Sequence, residues 1–303
     1  VKFSVQLPTD RVEQGEEYTS LAAITEIAAA IEAAGFDACW VTEHPFPSDE
    51  WMASGGHHSL DPFVSLTAAA SATTRLKLHT NILVLPYRNA FLTAKSIASL
   101  DVVSGGRVIM GVAAGYLEGE YNALGANFED RNAITDEALV AIREVWQGKS
   151  MQGDGRDYSL HGNTMLPRPA QPPHPPIWVG GNSKIAIRRA AEHGQGWSPF
   201  PIAGEHAGRT RTASIETVAD LGERIKYLND YSKSIGRSDR IDINFVPFGS
   251  RMNSPDPLDF GAFRQQLSDL EAVGVSWVSL GVPGRSRAEY LESIARFGEE
   301  VLG

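Results

Sequence analysis

The sequence predicts an α/β fold of the (β/α)8 class, a TIM barrel of parallel strands ringed by helices, with insertion loops. Three observations carry this prediction. Short apolar runs alternate with segments whose apolar residues recur at offsets of three and four, and the alternation persists through all 303 residues. Most of the runs are continuously apolar, as strands covered on both faces are. No internal repeat or break in composition marks a second domain, and barrels of this class commonly use this length as one unit, here residues 1–303.

In chain order, Lys2 to Leu7 reads as the first strand, ended by Pro8. Leu21, Ile24, Ala28 and Ile31 mark an amphipathic helix closed by Gly35, and Asp37 to Thr42 is the second strand. A long irregular insertion, 43–60, follows; loops of this length within a compact domain are usually functional. Asp61 and Pro62 open a helix to about Thr73, Leu76 to Leu83 is the third strand, and an apolar-faced helix leads to the fourth, Arg107 to Ala113. Thr135 to Gln147 is the next helix. A second insertion, 149–176, contains a hairpin pattern and the stiff run QPPHPP. Ile177–Val179, Gly196–Ser198, Ile241–Phe248 and Val275–Leu280 supply the remaining strands. Helices are expected at Lys184–His193 and around Leu221–Tyr231, Phe260–Leu270 and Tyr290–Val301.

With 42% hydrophobic and 21% charged residues, the chain has the composition of an ordinary globular protein. Its formal charge of −10, with no compensating basic run, argues against binding to nucleic acid or an anionic membrane and leaves small molecules and other subunits as partners. No apolar run reaches transmembrane length. The opening residues VKFSVQLPTD lack the pattern of an export signal, so a cytoplasmic location is expected. The single cysteine, Cys39, lies in the apolar run DACWV and is expected to be a buried, inert thiol.

A barrel places its chemistry at the carboxyl ends of its strands. The residues there are Gln6, Glu43, His44, Thr80, Asn81, Ala114 to Tyr116, Gly180 to Ser183, Trp197, Ser198 and those just after Phe248 and Leu280. The strand lysines Lys2 and Lys77 stand at the opposite ends, which argues against Schiff-base chemistry. His57 and His58 are adjacent and lack metal-ligand spacing, so no metal site is expected. G-x-S-x-G, Walker A and G-x-G-x-x-G motifs are absent. Glycines, small residues, aromatics and one acid-histidine pair remain, a set suited to holding a cofactor that carries its own chemistry. GGNSKIAIRRAA from Gly180 is the strongest anion site: two glycines, a capping residue, a helix amino terminus, and Lys184, Arg188 and Arg189 nearby. Without context, the same turn is an ordinary capped helix with a solvated basic face.

Several segments together resemble the bacterial luciferase-like monooxygenase family: Glu43–His44, HTNILVLPYRN, SGGRVIMGVAAGY, EYNALG and PPIWVGGNS. Within that family they are most similar to oxidoreductases that use the deazaflavin coenzyme F420. The resemblance spans nearly the whole chain and implies an eight-stranded barrel. It also implies a cis peptide between Asn81 and Ile82 supporting the face of a flavin-like ring, with Ala114, Gly115 and Tyr116 at the ring edge and Thr80 among the cofactor-binding residues. Gly180, Gly181, Asn182 and Ser183 match the phosphate-binding turn. His44 matches a histidine at the reactive centre, where titration near neutral pH suits proton exchange. Glu43 is placed to orient His44 or to contact the cofactor, and Trp51, Trp197 and Phe248 to wall a substrate pocket. Some members carry threonine or glutamate where this chain has Ala114 and Tyr116, which leaves FMN open as the cofactor.

The implied activity is hydride transfer between F420 and a small organic substrate. The alternatives are an FMN-dependent monooxygenase using oxygen and a non-catalytic flavin-binding barrel. Both insertions are candidates for covering the site. The family's common dimer face, the second and third helices, is rich here in Ala and Ser, so a homodimer is expected. Arg107 opens its strand at the far end, where a structural ion pair is expected.

Overall fold

The computed structural model describes residues 1–208, 211–249 and 258–303. Its strands are β1 (Lys2–Gln6), β2 (Ala38–Val41), β3 (Lys77–Val84), β4 (Val108–Ala113), β5 (Met151–Gly155), β6 (Tyr158–Asn163), β7 (Ile177–Gly180), β8 (Gly196–Ser198), β9 (Asp242–Phe245) and β10 (Trp277–Leu280). Its helices are α1 (Leu21–Ala33), α2 (Asp49–Ala53), α3 (Pro62–Ser71), α4 (Ala90–Val103), α5 (Glu118–Ala123), α6 (Arg131–Val145), α7 (Lys184–His193), α8 (Gly204–Ala207), α9 (Val218–Ser234), α10 (Phe260–Ala272) and α11 (Arg287–Phe297).

Eight strands close into a parallel barrel in the order β1-β10-β9-β8-β7-β4-β3-β2, while β5 and β6 form a separate antiparallel hairpin. Because β4 pairs directly with β7, the second insertion leaves and rejoins the barrel without parting its strands.

Side-chain caps start most of the surrounding helices. Ser20, Asp61, Asn89, Ser183, Asp259 and Ser286 each accept a backbone N–H from the first turn. Thr217 and Asp220 form a reciprocal capping box at α9. α6 starts at Arg131, one turn before the expected Thr135. β9 ends at Phe245 instead of Phe248, because a turn begins where Pro247 has no N–H to offer a ladder.

Alternation along the strands sorts residues to two sides of the barrel wall. Val5, Cys39, Leu78, Met110, Val179, Trp197, Ile243 and Val278 join the main core beneath the helices. Ala38, Ile109, Trp178 and Trp277 form a separate cluster inside the barrel. Above this cluster the interior turns polar. Ser279 Oγ donates to Asn244 Oδ1 at 2.8 Å, Asn244 Nδ2 donates to Ser198 Oγ at 3.2 Å, and Ser4 Oγ lies 3.4 Å from His79 Nδ1. Burial drives His79 down to about 3, so it is neutral at physiological pH.

Arg107 corrects one expectation. Its guanidinium bonds the carbonyls of Ser104, Leu76 and Ala70 and the Thr73 hydroxyl, at 2.7 to 3.0 Å, rather than a carboxylate. It thereby satisfies carbonyls that helix ends leave open. Among the described residues, no helix is long and apolar enough to cross a membrane.

Candidate active site

The carboxyl ends of the strands open into a cavity of about 480 Å³, within the usual range for ligand pockets of about 300–1,000 Å³. A slip in register forms part of its wall. Thr80 lies opposite Met110 and Leu83 opposite Val112, so Asn81 and Ile82 together face only Gly111. The Asn81–Ile82 bond is cis. Gly111 is the residue that lets this bulge fit: a Cβ there would lie 2.0 Å from Thr80 O, 3.1 Å from His79 Nε2 and 3.2 Å from Ile82 Cγ2. Thr80 Oγ1 donates to Gly111 O at 3.0 Å and accepts Gly111 N–H at 2.9 Å. Thr80 therefore latches the bulge from the far side of the wall and does not line the cavity, which corrects its expected place among the cofactor-binding residues, whereas Asn81 and Ile82 do line it.

Ala114, Gly115 and Tyr116 line the same cavity, as do Gly180, Gly181 and Ser183. Two of these glycines answer to close packing. A Cβ on Gly180 would stand 2.9 Å from Ile82 Cδ1, and one on Gly115, at φ +70°, would stand 2.5 Å from Val84 Cγ1. Ser183 caps α7, accepting Ala186 N–H at 3.2 Å. Asn182 points away from the cavity and is fully buried. It donates to Phe200 O and Ala213 O at 2.9 and 2.8 Å and accepts Phe200 N–H at 3.0 Å, so it fixes the turn.

Of the cations expected beside this turn, only Arg189 reaches the cavity. It is 3% exposed and held by Asp136 at 2.5 Å and by Asn132. Arg188 binds Tyr227 Oη and Lys184 lies over the Tyr227 ring, both on the outer face. Arg131 and Arg211, which the sequence pattern did not single out, also line the cavity.

At the other end, His44 stands between aromatic rings and an acid. Its ring lies 4.3 Å from that of Trp51 and edge-on to that of His57 at 4.9 Å, and its Nδ1 is 3.5 Å from Glu120 Oε2. Glu120 comes from α5 and is 2% exposed; its other oxygen accepts Phe46 N–H at 3.4 Å. His57 Nδ1 faces His58 O at 2.9 Å, and since a carbonyl only accepts, Nδ1 carries the proton. Burial, with His44 adding to it, pushes His57 downward. Burial and the Glu120 carboxylate push the Tyr116 phenol upward, against a hydrogen bond with Trp51. Tyr87 Oη is buried with no hydrogen-bond partner among the described residues, and burial beside Glu43 and Glu120 drives it upward.

Glu43 lines the cavity, as expected of a residue beside a cofactor, but the carboxylate facing His44 is Glu120, which corrects the other half of that expectation. Glu43 accepts Val84 N–H at 2.8 Å and both Nε and Nη2 of Arg88, the Nε at 2.6 Å, while Asp61 lies 3.6 Å from Arg88. Burial drives the Glu43 carboxyl upward; the Arg88 and Val84 donors pull back towards the ionised form. Glu43 thus ties the end of β2 to the segment leaving β3.

Trp197 and Phe248 also lie away from the cavity. Trp197 is on the helix side of β8 and donates to Gly181 O at 2.8 Å, so Ser198 faces inward in its place. Phe248 packs on Phe245 at 5.1 Å, and of the positions just after it, 250–257 lie outside the described residues. Trp51 does line the cavity. No group of His, Cys, Asp and Glu suited to a metal ion occurs among the described residues.

Comparison with known proteins agrees with this fold. An F420-dependent glucose-6-phosphate dehydrogenase of Gordonia bronchialis is 28% identical over 229 residues, 74% of this chain and 64% of that one. The fold matches a crystal structure of the monooxygenase RslO1 from Streptomyces bottropensis with a TM-score of 0.76 at 22% identity, covering 100% of this chain and 99% of that one. It matches an F420-dependent secondary alcohol dehydrogenase, in complex with an F420-acetone adduct, with a TM-score of 0.75 at 17% identity, covering 99% and 98%. The family model described as luciferase-like monooxygenase matches residues 1–227, and the chain belongs to that family.

Proposed function

We propose that the protein is an oxidoreductase that transfers hydride between coenzyme F420 and a small organic substrate. The observation that carries this reading is the approach of His44 to Glu120 inside the cavity, which sets an imidazole beside a carboxylate where each hydride transferred to or from an alcohol or similar group must be matched by a proton. The donor set fits the cofactor: a bulge and small residues for a flat ring, a Tyr87 hydroxyl with no hydrogen-bond partner among the described residues, and Ser183 with Arg189 for a phosphate. Bound there, the deazaflavin supplies a carbon that accepts or donates hydride. Asn81 and Ile82 support its ring, Ala114 to Tyr116 border it, and the Gly180–Ser183 turn receives its phosphate, with Asn182 bracing the turn. His44 exchanges the substrate proton, Glu120 orients His44, and Glu43 acts through Arg88 as a positioning residue. Trp51, His57 and Tyr116 surround the substrate and keep water from it.

The test is a titration of the purified protein with F420 and, separately, with FMN, followed by fluorescence quenching. F420 binding followed by a substrate-dependent change in deazaflavin absorbance is the expected result. Tight FMN binding without F420 binding replaces this reading with an FMN-dependent monooxygenase. F420 binding with no turnover across a panel of alcohols and carbonyl compounds favours a non-catalytic carrier.

A homodimer goes with this reading, through α3 and α4, where Val64, Leu92 and Val103 are 65%, 70% and 69% exposed. Light scattering during gel filtration reads its mass directly. A cytoplasmic location goes with it too, and cell fractionation tests that.

A further inference from the structure

The ring and one phosphate leave two guanidinium groups at the cavity rim unused. Arg131, at the start of α6, has its guanidinium 4.0 Å from the centroid of the Phe128 ring, and Arg211 approaches the same ring at 4.5 Å. Both arginines line the cavity. The ring between them is a fixed post: Phe128 is 5% exposed and packs edge-on against fully buried Tyr121 at 5.0 Å. Stacking on an aromatic face holds a guanidinium in place while leaving its N–H fork free for an oxyanion.

The protein's own charges leave this pair available. Arg131 Nη1 donates to Phe128 O at 2.8 Å, a neutral carbonyl, and no ion pair to Arg131 occurs among the described residues. Arg211 pairs with Glu118 at 2.9 Å, but both side chains are about half exposed, and a pair in that setting exchanges readily for a ligand carboxylate. Arg189, by contrast, is committed to Asp136 and Asn132. Three arginines from different segments exceed what a single phosphate requires.

We propose that Arg131 and Arg211, stacked on Phe128, form a clamp for a second anionic group on the same ligand, a carboxylate beyond the phosphate. This rests on the F420 reading, because that cofactor continues past its phosphate into an oligoglutamate tail, whereas FMN ends at the phosphate. The clamp selects for the tailed ligand and makes its binding sensitive to salt.

The experiment compares three ligands by fluorescence quenching: F420 with several glutamates, the same deazaflavin phosphate without glutamate, and FMN. The wild-type protein is expected to bind the tailed form about 2- to 30-fold more tightly than the tail-less form, the range for two partly exposed carboxylate–guanidinium contacts. Raising the salt concentration narrows that gap. The double variant Arg131→Gln, Arg211→Gln closes it, and a circular-dichroism melt checks that the variant is folded. Equal affinity of wild-type protein for tailed and tail-less forms overturns the clamp while leaving the F420 assignment standing. Binding of neither deazaflavin overturns both. The ligand series needs no variant, so a misfolded double variant does not leave the proposal untested.

Discussion

Glu32→Gln is the perturbation whose size the structure fixes most directly. Glu32 sits in the last turn of α1 and reaches the chain between α3 and β3. There its carboxylate accepts the N–H groups of Arg75 at 2.6 Å, Leu76 at 2.7 Å and Thr74 at 3.0 Å, and the Thr74 hydroxyl at 3.2 Å. Burial alone would raise its pKa; these donors outweigh burial and lower it from 4.5 to about 2. That drop corresponds to about 3.4 kcal/mol at roughly 1.36 kcal/mol per pH unit. The group is half-buried at the molecular surface, so solvent screening reduces the contribution to about 1–2 kcal/mol.

The sign follows from linkage. The folded state holds the proton less tightly than the unfolded chain, so the contribution is full above pH 4.5 and is lost as pH falls towards about 2. Urea unfolding of the wild type and Glu32→Gln at about pH 7 should give a gap of about 1–2 kcal/mol, shrinking by more than half at about pH 3. His79, neutral in the fold and protonated when unfolded, also erodes stability between 6.5 and about 3, but equally in both proteins, so the difference isolates Glu32. A gap of equal size at both pH values, or none at the higher one, would refute the account.

Gly111→Ala brings a Cβ to 2.0 Å from a backbone oxygen, so a melt should show a loss of at least about 1–3 kcal/mol together with weaker F420 binding; a wild-type melt and affinity would mean the bulge is not built as described. Cys39 is fully buried and its thiol is pushed up to about 12, so a thiol reagent should label it only after denaturant is added, and rapid labelling of native protein would contradict this. His44→Gln and Glu120→Gln should each lower turnover by about 10²–10⁴-fold while changing F420 affinity only a few-fold. If Glu120→Gln leaves the pH profile of turnover untouched, it does not act through His44.

The positions of the Gly180–Ser183 turn and of His44 were legible because both follow strand ends, which are set by apolar runs and their breakers. The Asn81–Ile82 bulge lies within β3, and only the family resemblance pointed to it. Errors came where facing decided the matter. Trp197 and Ser198 are neighbours on one short strand, and being one residue apart sends the tryptophan to the helices and the serine to the cavity. Strict alternation from Trp178 and Gly180 across the barrel would have found this.

Partners distant in sequence were not legible. Glu120 meets His44 only because α5 folds back over the first insertion, and Arg88 takes Glu43 from His44 across 45 positions. By itself the sequence determined the order of strands and helices, the end of the barrel that carries chemistry, and the small residues that make room there, because these depend on periodicity and backbone freedom. Only the tertiary structure decided which carboxylate lies beside the histidine and which arginines reach the cavity. Those outcomes depend on distances across the barrel mouth, which no local pattern encodes.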